Sequence, residues 1–211
     1  DSEVITMEIV GEFKGLKEDK SIYHYFKQHW NELFPRMPDR SNFVRQSANL
    51  WKVKEALWKH LQSDRGRWLQ ILDSMPLEVC KFVRARHSKL FKGSANYGKW
   101  FGQTFFGYRL HLKITQIGMI KNFSLTPANV HDIKCVDELL EDDSDGWVLA
   151  DKGYRSKPLH QKLWQQRRIY MHTSIRRNEQ KDSPLPKITI RRLTGIRRLV
   201  ETVGGQLEQQ F

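Results

Sequence analysis

The order of segments from Trp68 onward predicts an α/β fold, a mixed sheet flanked by helices. Two observations support this prediction. Short apolar runs bounded by turn residues alternate with stretches of helical periodicity, and one alternating run is followed by a glycine-containing turn and a second run. The predicted order is therefore a strand, a hairpin, a helix, a strand, a helix, a strand and a final helix. This order is typical of α/β proteins.

Local pattern places each element of this region. Strands are predicted at residues 68–73, 105–115, 119–126, 147–151 and 169–173. Helices are predicted at residues 127–140 and 157–166, and around Ile196, Leu199, Val200, Val203 and Leu207. The acidic stretch 141–145 is expected to be a solvated loop. Residues 176–187, with two prolines and no periodicity, also indicate a loop, and the Gly- and aromatic-rich residues 94–103 are expected to be mobile.

The first 66 residues predict a separate helical module with three amphipathic helices. These run from Glu3 to about Phe13, along Ile22 to Leu33, and along Leu50 to Leu61, and the tryptophans of the third helix are expected in the core. The module carries 11 Lys/Arg against 10 Asp/Glu, so a grip on DNA ends and a purely structural role both stay open. The expected domains are 1–66 and 67–211, in a fragment trimmed at both ends that lacks the last helix of its second domain.

Composition excludes several classes of protein. No apolar run approaches the roughly 20 residues of a membrane span, and no signal-peptide pattern opens the chain. The two cysteines, Cys80 and Cys135, fit neither a disulfide framework nor a zinc site, and both are expected as reduced core thiols of a cytosolic protein. The chain has no Gly-rich phosphate loop, which disfavours nucleotide hydrolysis.

The net charge of +12 is unevenly distributed. Residues 152–198 hold fourteen Lys and Arg against only Glu179 and Asp182. A solvated basic face is one interpretation, but so one-sided a block, rich in arginine pairs, favours a surface that binds the phosphates of nucleic acid. The candidate DNA-binding residues are Lys152, Arg155, Arg176, Arg177, Arg191, Arg192, Arg197 and Arg198.

Three acids are candidate metal ligands. Asp73 and Asp151 end short apolar runs, and Glu201 lies on the polar face of the last helix, which it shares with Arg197 and Glu208. Ligands bind at strand ends of α/β sheets, and three carboxylates from distant positions can hold two divalent cations able to cut or join phosphodiesters. Any one of these acids alone would be interpreted as a surface or capping residue; their combination weakens that interpretation. His131 is expected to cap a helix rather than to contact phosphate.

Several segments together resemble motifs of DDE transposases from bacterial insertion sequences. They are Leu72-Asp-Ser-Met-Pro-Leu77, Thr126-Pro-Ala-Asn-Val-His-Asp132, Leu149-Ala-Asp-Lys-Gly-Tyr154 and Arg197-x-x-x-Glu201. With Asp1-Ser-Glu-Val-Ile-Thr6, the ordered set is most similar to the nine-eighty-two family. The resemblance implies a ribonuclease-H-like catalytic fold and two Mg²⁺ or Mn²⁺ ions per active site, held by Asp73, Asp151 and Glu201. The implied activity is DNA strand cleavage and strand transfer at insertion-sequence ends.

The same resemblance implies double-stranded DNA as the partner, namely the terminal inverted repeats and the target DNA. A homodimer or higher oligomer on that DNA, no membrane, and a bacterial cytoplasm with nucleoid association are also implied. Thr194 and Glu208 depart from the broader signature, which has tyrosine and lysine there. Gly204 and Gly205 cost about 1 kcal/mol each within a helix, so a bend or the close approach of a backbone or DNA strand is expected.

Two alternative functions stay open from the residues. One is a ribonuclease-H-like nuclease or junction resolvase that cuts DNA without joining it. The other is a non-catalytic DNA-binding protein derived from a transposase.

Overall fold

A computed structural model describes residues 1–62, 68–89, 91–173 and 187–210. The chain divides into two compact units. One comprises residues 1–63 with 207–211, and the other residues 64–206.

The first unit contains four helices. They are α1 (Ser2–Phe13), α2 (Asp19–His29), α3 (Arg40–Asn49) and α4 (Trp51–Leu61), and a 3₁₀ turn spans Asn31–Leu33. Its core gathers Val4, Met7, Ile22, Tyr23, Phe26, Phe43 and Leu50.

Helix α3 was not predicted, and its start is explained by a cap. The Asp39 carboxylate accepts a hydrogen bond from the Asn42 backbone N–H at 2.9 Å. The expectation that the tryptophans of α4 lie in the core is wrong. None of the eleven residues of α4 is buried, and Trp51 is 57% exposed.

The second unit is built on a six-stranded mixed sheet. Its strands are β1 (Leu69–Cys80), β2 (Asn96–Trp100), β3 (Gln103–Thr115), β4 (Ile120–Pro127), β5 (Gly146–Ala150) and β6 (Ile169–Thr173). Strand β3 pairs antiparallel with β1, β2 and β4, whereas β1, β5 and β6 run parallel to one another. Its helices are α5 (Val136–Leu139), α6 (Lys157–Arg167) and α7 (Lys187–Gln210), the last of which belongs to this unit up to Gln206. This arrangement confirms the predicted mixed α/β fold.

The two faces of β1 pack against different helices. Leu72 lies in the core formed with Val136 of α5 and Leu163 of α6. Side chains alternate along a strand, so Asp73 and Met75 point to the other face. There the Met75 sulfur lies 3.6 Å from a Cβ built on Gly204 of α7, which places this helix over the Asp73 side of the sheet.

Several local predictions are corrected. Strand β1 continues to Cys80 because β3 pairs with it along its whole length, so Asp73 lies within the strand rather than at its end. The helix expected at 127–140 is reduced to a 3₁₀ turn at Asp132–Cys135 followed by α5. Asp143 of the presumed solvated loop is a buried partner of Lys113, at 2.6 Å.

Residues 94–103, expected to be mobile, instead form β2 and a two-residue hairpin turn into β3. Of the loop predicted at 176–187, residues 176–186 lie outside the described part of the chain. Helix α7 is continuous across the two glycines. A Cβ on Gly205 would meet no atom within 4 Å, so a close approach of a protein backbone to Gly205 is not found among the described residues.

Both cysteines are free; Cys135 is buried as expected, whereas Cys80 is only half-buried. Within the described ranges, no helix combines the length and apolar character needed to cross a membrane.

Candidate active site

Parallel pairing of β1 and β5 brings the two predicted aspartates side by side. The last paired residues are Leu72 and Ala150, and the next residue on each strand is Asp73 or Asp151. Beyond this point the strands separate, because β5 ends at Ala150 while β1 continues along β3. The gap that opens at the end of the parallel pairing is where ligands bind in α/β sheets.

Helix α7 supplies the third acid and a cation. Arg197 and Glu201 are four residues apart and so lie on the same helical face, with the guanidinium Nη2 3.6 Å from Glu201 Oε1. The same Nη2 lies 3.9 Å from Asp73 Oδ2. The other terminal nitrogen, Nη1, donates a hydrogen bond to Asp151 Oδ1 at 2.7 Å.

One guanidinium therefore gathers all three predicted carboxylates. Because Asp73 and Glu201 both contact Nη2, their nearest oxygens can be no farther apart than the sum of those two distances. The side chain of Arg197 is 23% exposed, against 41% for Asp151 and 61% for Glu201. Asp73, at 20%, is the least exposed of the four side chains, so the cluster is most buried around Asp73 and most open to solvent around Glu201.

Asp73 has the most perturbed environment of the three. Burial raises the pKa of its carboxyl to about 6, against a hydrogen bond from the Ser74 N–H and the charge of Arg197, which lower it. The negative charges of Asp151 and Glu201 raise the pKa further. A carboxyl whose pKa is raised by burial and like charges in a cleft is a feature typical of functional sites.

The chemistry of the donor set suits a hard divalent cation, since all three groups are carboxylates. Their present spacing is set by the arginine instead. Within the ranges that the structure describes, no three His, Cys, Asp or Glu side chains are already arranged as a metal site. Arg197 lies between the carboxylates, at 2.7 Å from Asp151, 3.6 Å from Glu201 and 3.9 Å from Asp73.

A second polar cluster, which sequence reasoning missed, lies on the opposite face of β1. Asp132 accepts a hydrogen bond from Arg109 Nη1 at 2.9 Å, and both side chains are largely buried. The wholly buried His111 contacts the Tyr154 hydroxyl at 3.2 Å and Thr126 Oγ1 at 3.0 Å. Burial lowers the pKa of His111 and raises the pKa of Tyr154. We call these five residues the Asp132 network.

The Asp132 network explains why Gly153 stands in the Asp-Lys-Gly-Tyr segment. A Cβ at position 153 would lie 2.3 Å from Asp132 Oδ2, closer than any side chain tolerates. The network also reaches the acid cluster through Ser74, whose side chain lowers the pKa of the Tyr154 hydroxyl and whose N–H donates a hydrogen bond to Asp73. Asp132 and Gly153 belong to two separate motifs of the sequence. The occurrence of an aspartate in one motif and a glycine in the other is the signal that could have indicated this network.

Comparison with known proteins decides the family. A family model described as "Transposase DDE domain" matches residues 64–211. The chain belongs to the DDE transposase family. It is also 32% identical over 109 residues to the transposase for insertion sequence element IS1106 from Neisseria meningitidis serogroup B. That match covers 50% of this chain and 37% of the relative, so the chain matches little more than a third of the relative's length.

Among solved structures, this DDE transposase domain is similar to a piggyBac transposase in a synaptic complex with hairpin DNA. The TM-score is 0.41 at 12% identity, over 72% of this chain and 33% of the other. The recognition of a DDE-type insertion-sequence transposase from sequence is confirmed by the family match and the curated relative.

The structure distributes the predicted DNA-binding residues of this transposase unequally. Arg197 contacts the three carboxylates. Arg176 and Arg177 lie outside the described residues. The others are exposed, namely Lys152, Arg155, Arg191, Arg192 and Arg198. His131, the predicted cap, accepts a hydrogen bond from the Ile133 N–H at 3.4 Å and precedes the 3₁₀ turn, as expected.

Proposed function

We propose that this chain catalyses metal-dependent DNA strand cleavage and strand transfer at insertion-sequence ends. The observation that supports this most strongly is the gathering of Asp73, Asp151 and Glu201 around one guanidinium. Three acids from two strands and a helix have no folding reason to meet, because like charges repel. The family match supports the same chemistry, since DDE transposases in general use divalent metal ions.

Asp73, Asp151 and Glu201 would hold two Mg²⁺ or Mn²⁺ ions in this proposal. Such ions supply Lewis acidity to both the attacking and the leaving oxygen of a phosphodiester. The protein's own part is positional: β1 and β5 set the two aspartates side by side, and α7 presents Glu201 from above. Arg197 holds the carboxylates together and neutralises part of their charge.

The sheet order supports a ribonuclease-H-like catalytic domain at residues 67–211. Two antiparallel pairings, from β4 to β3 and from β3 to β1, are followed by the parallel β5 and β6. The helical module at 1–66 would bind DNA ends, and the exposed basic residues of 152–198 would bind the phosphates of terminal repeats and target DNA. A homodimer or higher oligomer on DNA is part of this proposal.

Conservative variants test the proposed acids directly. Asp73→Asn, Asp151→Asn and Glu201→Gln should each lower Mg²⁺-dependent nicking of insertion-sequence ends by at least a hundredfold while DNA binding persists, because the ligands of the reaction are lost. Glu208→Gln is the matched control, since Glu208 is exposed on the same helix. Full nicking activity in Asp73→Asn or Asp151→Asn would contradict the proposal.

Metal binding gives a readout that does not depend on cleavage. Arg197→Gln should raise the affinity for Mn²⁺, followed by electron paramagnetic resonance, roughly tenfold because a competing charge leaves the acids. Arg198→Gln, one position along and exposed, should leave it unchanged. An Arg197→Gln protein that binds Mn²⁺ more weakly would mean that the arginine builds the site rather than occupying it.

The two rival functions are separated by product analysis. Pre-cleaved ends supplied with target DNA should give joined product if the protein is a transposase, whereas a nuclease or resolvase would give none. A non-catalytic DNA-binding protein would fail to nick any substrate.

A further inference from the structure

A second basic region lies between β1 and β3, far from residues 152–198 in the sequence. No acid occurs between Glu78 and Asp132. Six cations occur from Lys81 to Lys99, and four aromatic side chains from Phe82 to Phe101 are 40–93% exposed. We call this set the hairpin surface: Lys81, Arg84, Arg86, Lys89, Lys92 and Lys99 with Phe82, Phe91, Tyr97 and Phe101. The positive charge of this surface is not evident from the net charge of the chain, because the acidic residues 137–145 offset it.

Phe101 is the most unusual member. It occupies the first position of the two-residue turn between β2 and β3, with φ +46°, and Gly102 follows at φ +82°. Turns with two positive φ values favour Asn-Gly, and a bulky aromatic residue there is strained. The Phe101 side chain is also 93% exposed. Its ring meets the neighbouring Trp100 edge-on at 5.2 Å between centroids, and this contact leaves the ring almost fully exposed. A strained and exposed aromatic residue is typical of a site that contacts another molecule.

The other rings are mounted firmly on the sheet. Phe82 meets Tyr97 edge-on at 6.0 Å between ring centroids, and Tyr97 lies 5.0 Å from Phe106 of β3. Phe91 packs edge-on against Tyr108 at 5.7 Å. Each exposed ring therefore has a partner that fixes its orientation, so the aromatic surface is pre-organised.

The cations around these rings are free for a ligand. All six are exposed, and within the described part of the chain none forms an ion pair with a carboxylate. Six like charges disfavour a second copy of the same surface and favour a polyanion. Exposed aromatic rings among unpaired cations are the combination that binds single-stranded nucleic acid, with phosphates on the cations and bases on the rings.

We propose that the hairpin surface binds unpaired nucleotides of a DNA strand, with Phe101 stacked on a base. The proposal rests on the proposed function in that DNA is the substrate. Nine positions of β3 separate Gln103, beside the turn, from Leu112, the partner of Asp73. At about 3.3 Å per residue this is roughly 30 Å. B-form duplex rises about 3.4 Å per base pair, so roughly nine base pairs of duplex would span the distance between the stacked base and the active site.

Binding of short DNA in EDTA, without cleavage, tests the proposal by fluorescence anisotropy. A single strand and a duplex of the same length are compared for the unaltered chain, Phe101→Leu and Phe101→Tyr. Phe101→Leu should bind the single strand roughly tenfold more weakly, because leucine keeps the apolar surface but cannot stack. Phe101→Tyr should stay within twofold of the unaltered chain. Phe123→Leu, an exposed phenylalanine on β4, is the matched control and should have no effect.

Salt dependence tests the role of the cations. Replacing Arg84 and Arg86 by glutamine should reduce the log–log salt slope for the single strand by about 0.7 per lost contact. Duplex affinity should fall far less in Phe101→Leu than single-strand affinity does. Circular dichroism should be unchanged, since Phe101 is almost fully exposed.

Four outcomes would overturn the proposal. The first is equal single-strand affinity in Phe101→Leu and the unaltered chain. The second is an equal loss in Phe101→Tyr and Phe101→Leu. The third is an effect of Phe101→Leu on self-association in sedimentation but not on DNA binding, which would assign the surface to a second copy. The fourth is an effect only on binding to phosphatidylserine vesicles, which would assign it to a membrane. If the unaltered chain bound neither DNA form, the proposed function itself would fail instead.

Discussion

Two clusters, each centred on an acid, lie on opposite faces of β1. They differ in how the negative charge of that acid is balanced. Asp132 shares its surroundings with one arginine, which donates a hydrogen bond to it and matches its charge, and with a neutral histidine and a tyrosine. Asp73 is adjacent on β1 to Ser74, the residue that lies beside this network. Asp73 shares its surroundings with two further carboxylates and one arginine.

The difference is one of charge balance. In the Asp132 network one carboxylate faces one guanidinium, and the remaining partners are neutral. In the Asp73 cluster three carboxylates face one guanidinium, and the pKa of Asp73 rises to about 6. The first arrangement is what a stable fold requires, whereas the second stores a repulsion that only further positive charge relieves. The comparison thus separates an acid whose charge is balanced within the fold from acids whose like charges are left partly unbalanced.

The largest expected effect on stability is in the Asp132 network, where the charges balance. Asp132→Asn should lower the free energy of unfolding by about 3–5 kcal/mol, because it leaves the Arg109 charge buried without its partner. Urea unfolding measures this. The control is Asp137→Asn, whose pair with Lys162 is about half exposed and should contribute less than about 1 kcal/mol. Equal effects of the two variants would erase the distinction between the clusters.

Gly153→Ala should destabilise the protein by about 1–3 kcal/mol, since the new methyl group would overlap the Asp132 carboxylate. A double-mutant cycle with Asp132→Ala sharpens the result. Once the carboxylate is gone, the alanine should cost much less, so the two effects should be strongly non-additive. Additive losses would place the strain of the alanine somewhere other than at Asp132.

Asp73→Asn should change the stability in the opposite direction at neutral pH. The folded-state pKa of Asp73 lies above its ordinary value, so between about pH 4 and 6 the folded state binds more protons than the unfolded state. Stability falls as pH rises through this window and stays lower above it. The asparagine variant should therefore be more stable than the unaltered chain above pH 6, by on the order of 2 kcal/mol, and equal to it near pH 4.

Urea unfolding in EDTA at several pH values measures this difference, and Asp142→Asn, an exposed acid, is the control. A destabilised Asp73→Asn protein at pH 7.5 would mean that the pairing with Arg197 outweighs burial and repulsion, and the cluster would then count as structural.

The smallest expected effect concerns the helix that carries Glu201. Gly205→Ala should stabilise the protein by about 0.5–1 kcal/mol, because a Cβ there meets no atom within 4 Å and alanine favours the helix. Thermal unfolding should show a higher midpoint. A destabilised variant would show that the helix requires a glycine at this position. Loss of duplex affinity in an otherwise stabilised variant would mark Gly205 as a point of DNA approach.

The sequence pattern correctly predicted those elements whose structure depends mainly on their own residues. Strand β6 lies at the predicted residues, and α6 differs from its prediction by one residue. The three acids were also singled out from sequence, and the structure brings them together. Helix α3 was missed because only Phe43, Val44 and Ala48 of its ten residues are apolar. Strand β2 was missed because its glycine and aromatic residues are also typical of loops.

The sequence by itself determined the family, the α/β order of the second unit and the three acids, because each rests on neighbouring residues or on a short motif. Only the tertiary structure revealed that Arg197 lies among those acids and that Asp132 excludes a side chain at position 153. It also revealed that Asp73 lies within a strand and that Phe101 stands exposed on a turn. These features depend on which strands pair and which helix covers them, and such contacts join residues too distant in the chain for any local pattern to record.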